Sequence, residues 1–129
     1  MKAKNYTDLK IWQKAIQLSL HIYKVTENFP KREHFGLAAQ IRKSAVSIAS
    51  NIAEGSARHS NKEFRQFLIV ARGSLAELHT QLIIADGNRY LEQGELDILQ
   101  EEMNEIGRML HGLKQSLEPA KSTHQLIDS

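Results

Sequence analysis

The side chains with the chemistry for a metal or cofactor site are few in this 129-residue chain. It has no cysteine, which excludes thiolate metal sites, iron–sulfur clusters and cysteine nucleophiles. A carboxylate di-metal site in a helical bundle needs a histidine three residues after a glutamate, and no glutamate here has one. His21, His79 and His111 fall in helical stretches, but none has a second histidine four residues on, the spacing of a zinc-binding helix. We therefore expect no metal and no cofactor.

Nucleophilic or acid–base catalysis has little better support. Ser44, Ser47 and Ser50 have no histidine within a helical turn to act as a base. Asn51 and Glu54 have the polar groups for acid–base work, but their place among small polar side chains favours a structural hydrogen-bonding network. The chain also contains no glycine-rich loop of the kind that holds phosphates. The sequence therefore argues against an enzyme.

Basic side chains are the more promising feature, because they are concentrated in one part of the chain. Residues 1–43 carry nine Lys or Arg and three acids, a net +6, whereas residues 44–90 are +1 and residues 91–129 are −5. Clustered Lys and Arg bind phosphate backbones with an affinity that depends on salt rather than on base sequence. The candidate phosphate contacts are Lys10, Lys14, Lys24, Lys31, Arg32, Arg58, Lys62, Arg65 and Arg72. The alternative is a merely solvated face, since no groove-reading module is recognisable.

Four helical segments must position these side chains. Apolar residues at three- and four-residue spacing predict helices from Thr7 or Asp8 to Asn28, from about 33 to 55, from 60 to about 87, and from between 92 and 95 to just before Pro119. Ser60 and Glu63 have the spacing of a capping box, and Gly55 suits a helix stop. We expect an all-α, up-and-down antiparallel four-helix bundle over residues 1–119, with a flexible tail over residues 120–129.

The first three helices carry more apolar surface than one bundle core requires. Helix one has two apolar stripes, one through Trp12 and Leu20 and the other through Leu18 and Ile22. Helix three has a core stripe and, behind it, a row that repeats every seventh residue, the spacing of contact with another helix. This second row consists of Ile69, Ala76 and Ile83. We expect self-association through the backs of these helices, with helix four facing water; the alternative is isolated exposed apolar residues, which are common.

The second helix is unusual because its polar side chains are small and mostly uncharged. They form a row at four- and three-residue spacing, made of Gln40, Ser44, Ser47, Asn51 and Glu54. Such residues suit a helix surrounded by other helices, with the polar row hydrogen-bonded inside a contact between helices or between subunits. We expect Arg42 to pair with Glu54 or with a neighbouring acid.

The sequence predicts a cytoplasmic protein that does not span a membrane. The longest nearly uncharged stretch, Ser44 to Ala53, is far shorter than the roughly 18 apolar residues of a membrane span. The opening MKAKNYTDLK has no apolar run behind its basic residues and no cleavage site, so we expect no signal peptide.

Three stretches are specific enough to indicate a family. They are YTDLKIWQKAIQLSLHIYKVTENFP, FGLAAQIRKSAVSIASNIAEGSAR and KEFRQFLIVARGSLAELHTQL, and helix one carries a D-L-x-x-W-x-x-A pattern as Asp8, Leu9, Trp12 and Ala15. Over roughly residues 6 to 117 the chain resembles the bacterial four helix bundle proteins encoded in intervening sequences of 23S ribosomal RNA genes. It departs from that pattern at Ala49, where a proline is frequent, and at His79, where a glutamate is common.

The resemblance implies an up-and-down bundle that assembles as a ring, typically a homopentamer. A distant relative, the accessory protein of diversity-generating retroelements, is also a pentamer and binds nucleic acid and a reverse transcriptase. By this analogy RNA or DNA becomes a credible partner. The alternative is a protein-only adaptor that binds a partner helix and makes no nucleic-acid contact. No catalytic residues carry over from the resemblance.

Overall fold

The computed structural model describes residues 5–120 of the chain and contains four long α-helices. They are α1 (Lys10–Thr26), α2 (Leu37–Ser56), α3 (Asn61–Gly87) and α4 (Glu95–Ser116). Two short 3-10 turns, Tyr6–Asp8 and Lys31–Glu33, precede α1 and α2. The described residues contain no β-strand, so the all-α prediction is confirmed for them. The predicted flexible tail, residues 120–129, lies outside the described residues except for Ala120.

One half of the capping box predicted for the third helix is present at the start of α3, the bond from the Glu63 backbone N–H to the Ser60 hydroxyl. Ser60 is extended and its Oγ accepts the backbone N–H of Glu63 at 3.1 Å. The Ser60 hydroxyl also donates to the Glu63 carboxylate at 3.3 Å, so the two side chains contact each other directly. This local bonding explains why the sequence located the beginning of α3 to within one residue.

Helices α1 and α2 begin later than predicted because a capped turn precedes each one. The Asn5 side chain accepts the N–H of Thr7 at 3.0 Å and closes a 3-10 turn, after which extended Leu9 separates that turn from α1. Glu33 lies before α2 rather than in it, and its carboxylate accepts the N–H of Leu37 at 3.2 Å. Gly36, at φ −110° and ψ −114°, separates the two.

Each helix packs against its neighbours along the chain, and α1 closes the bundle against α4. The α2–α3 contact is the most extensive and the α1–α4 contact the least, and diagonally opposite helices do not approach each other. This is the arrangement of an up-and-down bundle with short connections. The largest fully buried apolar side chains come from all four helices: Leu18, Ile22, Ile41, Ile48, Ile52, Leu68, Leu78, Leu82, Leu99 and Ile106.

Small residues allow α2 and α3 to pack closely, and Gly55 is the most constrained of them. The sequence suggested Gly55 as a helix stop, but α2 continues through it to Ser56. A Cβ at Gly55 would lie 2.7 Å from Phe67 Cβ and 2.9 Å from Phe64 Cδ1, distances that real Cβ atoms do not show. Gly55 is therefore required for the close approach of α3 rather than for ending α2.

Replacing Gly55 with alanine should lower the free energy of unfolding by about 1–3 kcal/mol, because the added methyl group overpacks the contact with Phe64 and Phe67. The matched control is Gly112→Ala on α4, where a new Cβ has no neighbour within 4 Å. That change should be neutral or stabilise by up to about 1 kcal/mol through helix propensity. Urea denaturation measures both, and equal effects would contradict the steric role of Gly55.

The polar row of α2 lies in the contact with α3, at Ser47 and Asn51. The Oγ atoms of Ser47 and Ser74 are 2.8 Å apart. Asn51 Nδ2 donates to the Ser47 carbonyl at 2.8 Å and to its Oγ at 3.0 Å. Ser74 is 7% exposed, so these hydrogen bonds satisfy polar groups that water reaches poorly. The contact is therefore one between helices of a single chain.

Alanine at Ser47 and at Ser74, singly and together, should reveal coupling between the two hydroxyls. Each single change leaves one hydroxyl without its partner, so the double variant should lose about 1 kcal/mol less unfolding free energy than the two single losses added together. A denaturation cycle over the four proteins measures this term. Ser50→Ala, on the exposed side of α2, should change the free energy by less than about 0.5 kcal/mol. Strictly additive losses would contradict the pairing.

Candidate functional site

The antiparallel topology divides the nine candidate phosphate contacts between the two ends of the bundle and does not bring them together. The starts of α1 and α3 lie at the same end of the bundle as the last residues of α2 and α4. We name this the basic end after the four candidate phosphate contacts located there, Lys10, Arg58, Lys62 and Arg65. The opposite end holds Lys24, Lys31 and Arg32. Lys14 lies along α1, and Arg72 lies along α3 beside α4.

Several of these basic side chains are already engaged within the chain. Arg65 donates to the backbone carbonyl of Leu117, which ties the end of α4 to α3. The guanidinium carbon of Arg58 lies 4.8 Å from the centre of the Phe67 ring, and an Arg58 nitrogen lies 3.8 Å from the Glu54 carboxylate. Arg58 nevertheless keeps an exposed side chain, as does Lys62. At the basic end, Lys10, Arg58 and Lys62 therefore present their charge to solvent.

Two acids of α4 contact α1. Lys14 Nζ lies 2.9 Å from Glu105 Oε1, with both side chains a little under half exposed. His21 Nδ1 lies 2.6 Å from Glu102 Oε2. The expectation that helix four turns its acidic face to water therefore holds only in part, because these acids face the basic side of α1. Lys14 is consequently the candidate phosphate contact whose positive charge is most neutralised by a neighbouring acid.

The remaining members of the predicted polar row have different surroundings. Ser44 is buried at 7% exposure, whereas Gln40 and Glu54 are exposed. The prediction that Arg42 pairs with an acid is wrong. Arg42 Nε donates to Thr26 Oγ1 at 2.7 Å, and its guanidinium carbon lies 4.7 Å from the centre of the Tyr23 ring. No carboxylate among residues 5–120 forms an ion pair with Arg42.

An apolar row runs along the outward side of α3, at the positions that the sequence predicted. Ile69 is 48% exposed and Ile83 is 47% exposed, with exposed Ala76 midway between them. Val70 and Ile84 widen the row at its two ends, at 53% and 49% exposure. We name Ile69, Val70, Ala76, Ile83 and Ile84 the α3 outer row.

Other exposed apolar side chains lie near α1 and α2. Leu20 and Tyr23 on α1 are 64% and 44% exposed, whereas the stripe through Leu18 and Ile22 is buried. Phe35, between α1 and α2, is 98% exposed. The second stripe of helix one is therefore divided: Leu9, Trp12 and Ile16 pack half-buried against the core, and only Leu20 and Tyr23 are left exposed. Soluble monomers rarely leave rows of this kind uncovered.

Helix α3 is also long and apolar enough, judged by length and composition alone, to cross a membrane. Only 28% of its most apolar 18-residue window is buried. The sequence expectation of no membrane span was based on the stretch in α2 and overlooked this helix. The core stripe and the α3 outer row together account for its apolar character.

A groove that the sequence did not predict lies between α3 and α4. It has a volume of about 580 Å³, and no acid lines it. The lining residues are Arg72, Leu75, Ala76, His79, Gln100, Met103, Asn104, Gly107, Arg108 and His111. A signal was available, because Gln100, Asn104, Gly107 and His111 form an uncharged row at 4-3-4 spacing on an otherwise acidic helix. Within residues 5–120, no group of three or more His, Asp or Glu side chains could hold a metal ion.

Comparisons with known proteins place the chain in a family. The chain is similar in fold to the crystal structure of a protein of unknown function from the S23 ribosomal protein family of Bacteroides thetaiotaomicron VPI-5482. The TM-score is 0.75 at 20% identity, over 81% of this chain and 97% of that one. No curated protein matches the chain. The family model described as "23S rRNA-intervening sequence protein" matches residues 7–112, which is most of the bundle. The chain therefore belongs to the 23S rRNA-intervening sequence protein family.

Proposed function

We propose that this protein is a non-enzymatic, cytoplasmic bundle that assembles into a homopentameric ring and binds RNA or DNA through its exposed basic side chains. The observation that carries the assembly is the α3 outer row, whose large side chains are about half exposed in the single chain. Other copies of the chain, rather than lipid, cover this row. The number five follows from the family resemblance and not from the periodicity of the helices.

Burial of the outer row explains why the sequence keeps it apolar. Covering Ile69, Val70, Ile83 and Ile84 removes apolar surface from water, which stabilises association in proportion to the area covered. The sevenfold spacing of Ile69 and Ile83, on either side of Ala76, suits a helix as the covering element. Ala76 also lines the groove between α3 and α4, so this helix lies at the edge of that groove. Leu20 and Tyr23 of α1 supply a second exposed apolar surface that another copy could contact.

Introducing a negative charge on the outer row should dissociate the assembly without unfolding the chain. Ile83→Glu and Ile69→Glu place a carboxylate at half-exposed sites, so the fold should tolerate them while the buried interface does not. The matched control is Ile98→Glu, which changes an equally exposed isoleucine of α4, at 58% exposure, away from the outer row. Sedimentation at micromolar concentration should show a smaller species only for the first two. A monomeric native protein, or equal effects from all three, would overturn the proposal.

Nucleic-acid binding is supported by the basic end, because the antiparallel topology brings Lys10, Arg58 and Lys62 to the same end of the bundle. Ring assembly repeats this cluster once per subunit, which multiplies the number of phosphate contacts along a bound strand. Binding of this kind is electrostatic and tolerant of sequence. It requires no further motif in the chain.

Fluorescence anisotropy with a labelled 20-nucleotide RNA of mixed sequence tests this role. Affinity should fall with salt, and Lys62→Gln should reduce the slope of log affinity against log salt by about 1. Lys14→Gln is the matched control, since Glu105 lies 2.9 Å from that ammonium group and already neutralises it; its effect should be smaller. Absence of RNA and DNA binding at low salt would favour the protein-only adaptor, which a nuclease-resistant pull-down from native cells would then support.

A further inference from the structure

The groove between α3 and α4 has the lining of a ligand site and is not used by the fold. Its volume of about 580 Å³ lies within the usual range for small-molecule sites. Arg72 and Arg108 line it, and neither forms an ion pair with any acid of residues 5–120. Two cationic side chains on the lining of a groove favour an anion there. Arg72 is the one remote from acids, since Arg108 also borders a neighbouring pocket lined by Glu101, Glu102 and Glu105.

The absence of acids from the groove is a consequence of how α4 is turned. The carboxylates of Glu102 and Glu105 point to α1, where they contact His21 and Lys14. The opposite flank of α4, which faces α3, carries amides, a glycine and a histidine. An anionic ligand in the groove would meet Arg72 on the α3 wall and Arg108 on the α4 wall.

A pair of amides gives the groove a directional polar feature. Gln100 Nε2 donates to Asn104 Oδ1 at 3.0 Å, which fixes the two side chains relative to each other one turn apart. This leaves the Gln100 carbonyl oxygen as an acceptor and the Asn104 amide group as a donor. A donor and an acceptor on the same wall of the groove are groups that can hydrogen-bond the edge of a nucleobase.

The floor of the groove is apolar, and a glycine keeps it open. Met103, at 2% exposure, and half-buried Leu75 lie beneath the opening. A Cβ at Gly107 would lie 3.6 Å from Leu75 Cδ2, an ordinary contact, so helix packing does not require a glycine there. Glycine inside a helix costs roughly 1 kcal/mol relative to alanine. Gly107 therefore has no packing role that explains it, but it does preserve space above Leu75.

We propose that the groove between α3 and α4 seats one unstacked nucleotide of a single-stranded nucleic acid. The base lies over Leu75 and Met103 with its edge at the Gln100–Asn104 pair, and the adjoining phosphates contact Arg72 and Arg108. Single strands expose base faces for such contacts, whereas the bases of a duplex are stacked and paired. This assignment rests on the proposed nucleic-acid binding and adds to it a preference for single strands and a site outside the basic end.

Filling the groove tests the assignment. Gly107→Leu places a side chain over Leu75, and the matched control Gly112→Leu makes the same change on α4 where a new Cβ meets nothing within 4 Å. The probes are a labelled 12-nucleotide oligo(U) and a 12-base-pair RNA duplex. We expect Gly107→Leu to weaken oligo(U) binding by about tenfold, the scale of one lost base contact, and to leave duplex binding unchanged. Gly112→Leu should alter neither.

The native protein provides a second measurement that does not depend on a variant folding. The chain has three methionines, and Met103 is the one that lines the groove. With 13C-methyl-methionine labelling, titration of oligo(U) should shift the Met103 signal through the ring current of a base placed against it. The duplex should leave that signal in place.

The outcomes separate the groove from the broader function. If oligo(U) binds but Gly107→Leu and Gly112→Leu behave alike, and the Met103 signal does not move, the groove assignment is wrong while nucleic-acid binding stands. If neither probe binds the native protein even at low salt, the proposed nucleic-acid function fails and the groove assignment fails with it. Equal loss of duplex and oligo(U) binding in Gly107→Leu would also overturn the preference for single strands.

Discussion

The close approach of α2 and α3 is the contact on which the rest of the bundle depends. It is the most extensive contact between helices, and it requires Gly55 because any Cβ there would collide with the Phe64 and Phe67 side chains. Ser47 and Ser74 hydrogen-bond across the same contact, so these two small polar side chains satisfy each other where the helices approach. With α2 held against one side of α3, the outer row on the opposite side is left exposed among residues 5–120.

A second contact, between α1 and α4, determines which of the basic and acidic side chains lie next to each other. The net +2 of the chain conceals a basic first third and an acidic last third. Folding brings parts of the two together, because Lys14 meets Glu105 and His21 meets Glu102. Outside this contact, Lys10, Arg58 and Lys62 of the basic end and Arg72 and Arg108 of the α3–α4 groove stay exposed. A phosphate-bearing partner would therefore meet a pattern of charge that the linear sequence does not display.

Most of the fold was predictable because its signals are local. Ser60 with Glu63 set the beginning of α3, and the prolines and apolar spacing separated the four helices. The starts of α1 and α2 were harder, since Asn5 and Glu33 form caps that a periodic pattern does not reveal. The α3 outer row was found from its spacing, as it depends on one helix only.

The surroundings of individual polar side chains were less predictable, because they depend on which helices meet. Arg42 was expected to pair with an acid, but Thr26 and the face of Tyr23 lie closer. The groove was missed because its walls come from two helices separated by the α3–α4 connection, and neither Arg72 nor Arg108 is distinctive alone. Gly107 carried a hint, since a glycine within a helix is costly unless something uses the space.

The unequal contacts also determine where the native bundle opens. The α1–α4 contact is the least extensive of the four and joins the first helix to the last, and its Lys14–Glu105 ion pair and His21–Glu102 hydrogen bond are both partly exposed. Transient separation of α1 from α4 disrupts the least extensive contact and leaves the α2–α3 pair intact. Salt weakens partly exposed pairs, which lowers the cost of this opening. Amide protons of α1 and α4 consequently exchange with solvent through local openings, while those of α2 and α3 exchange only when the whole domain unfolds.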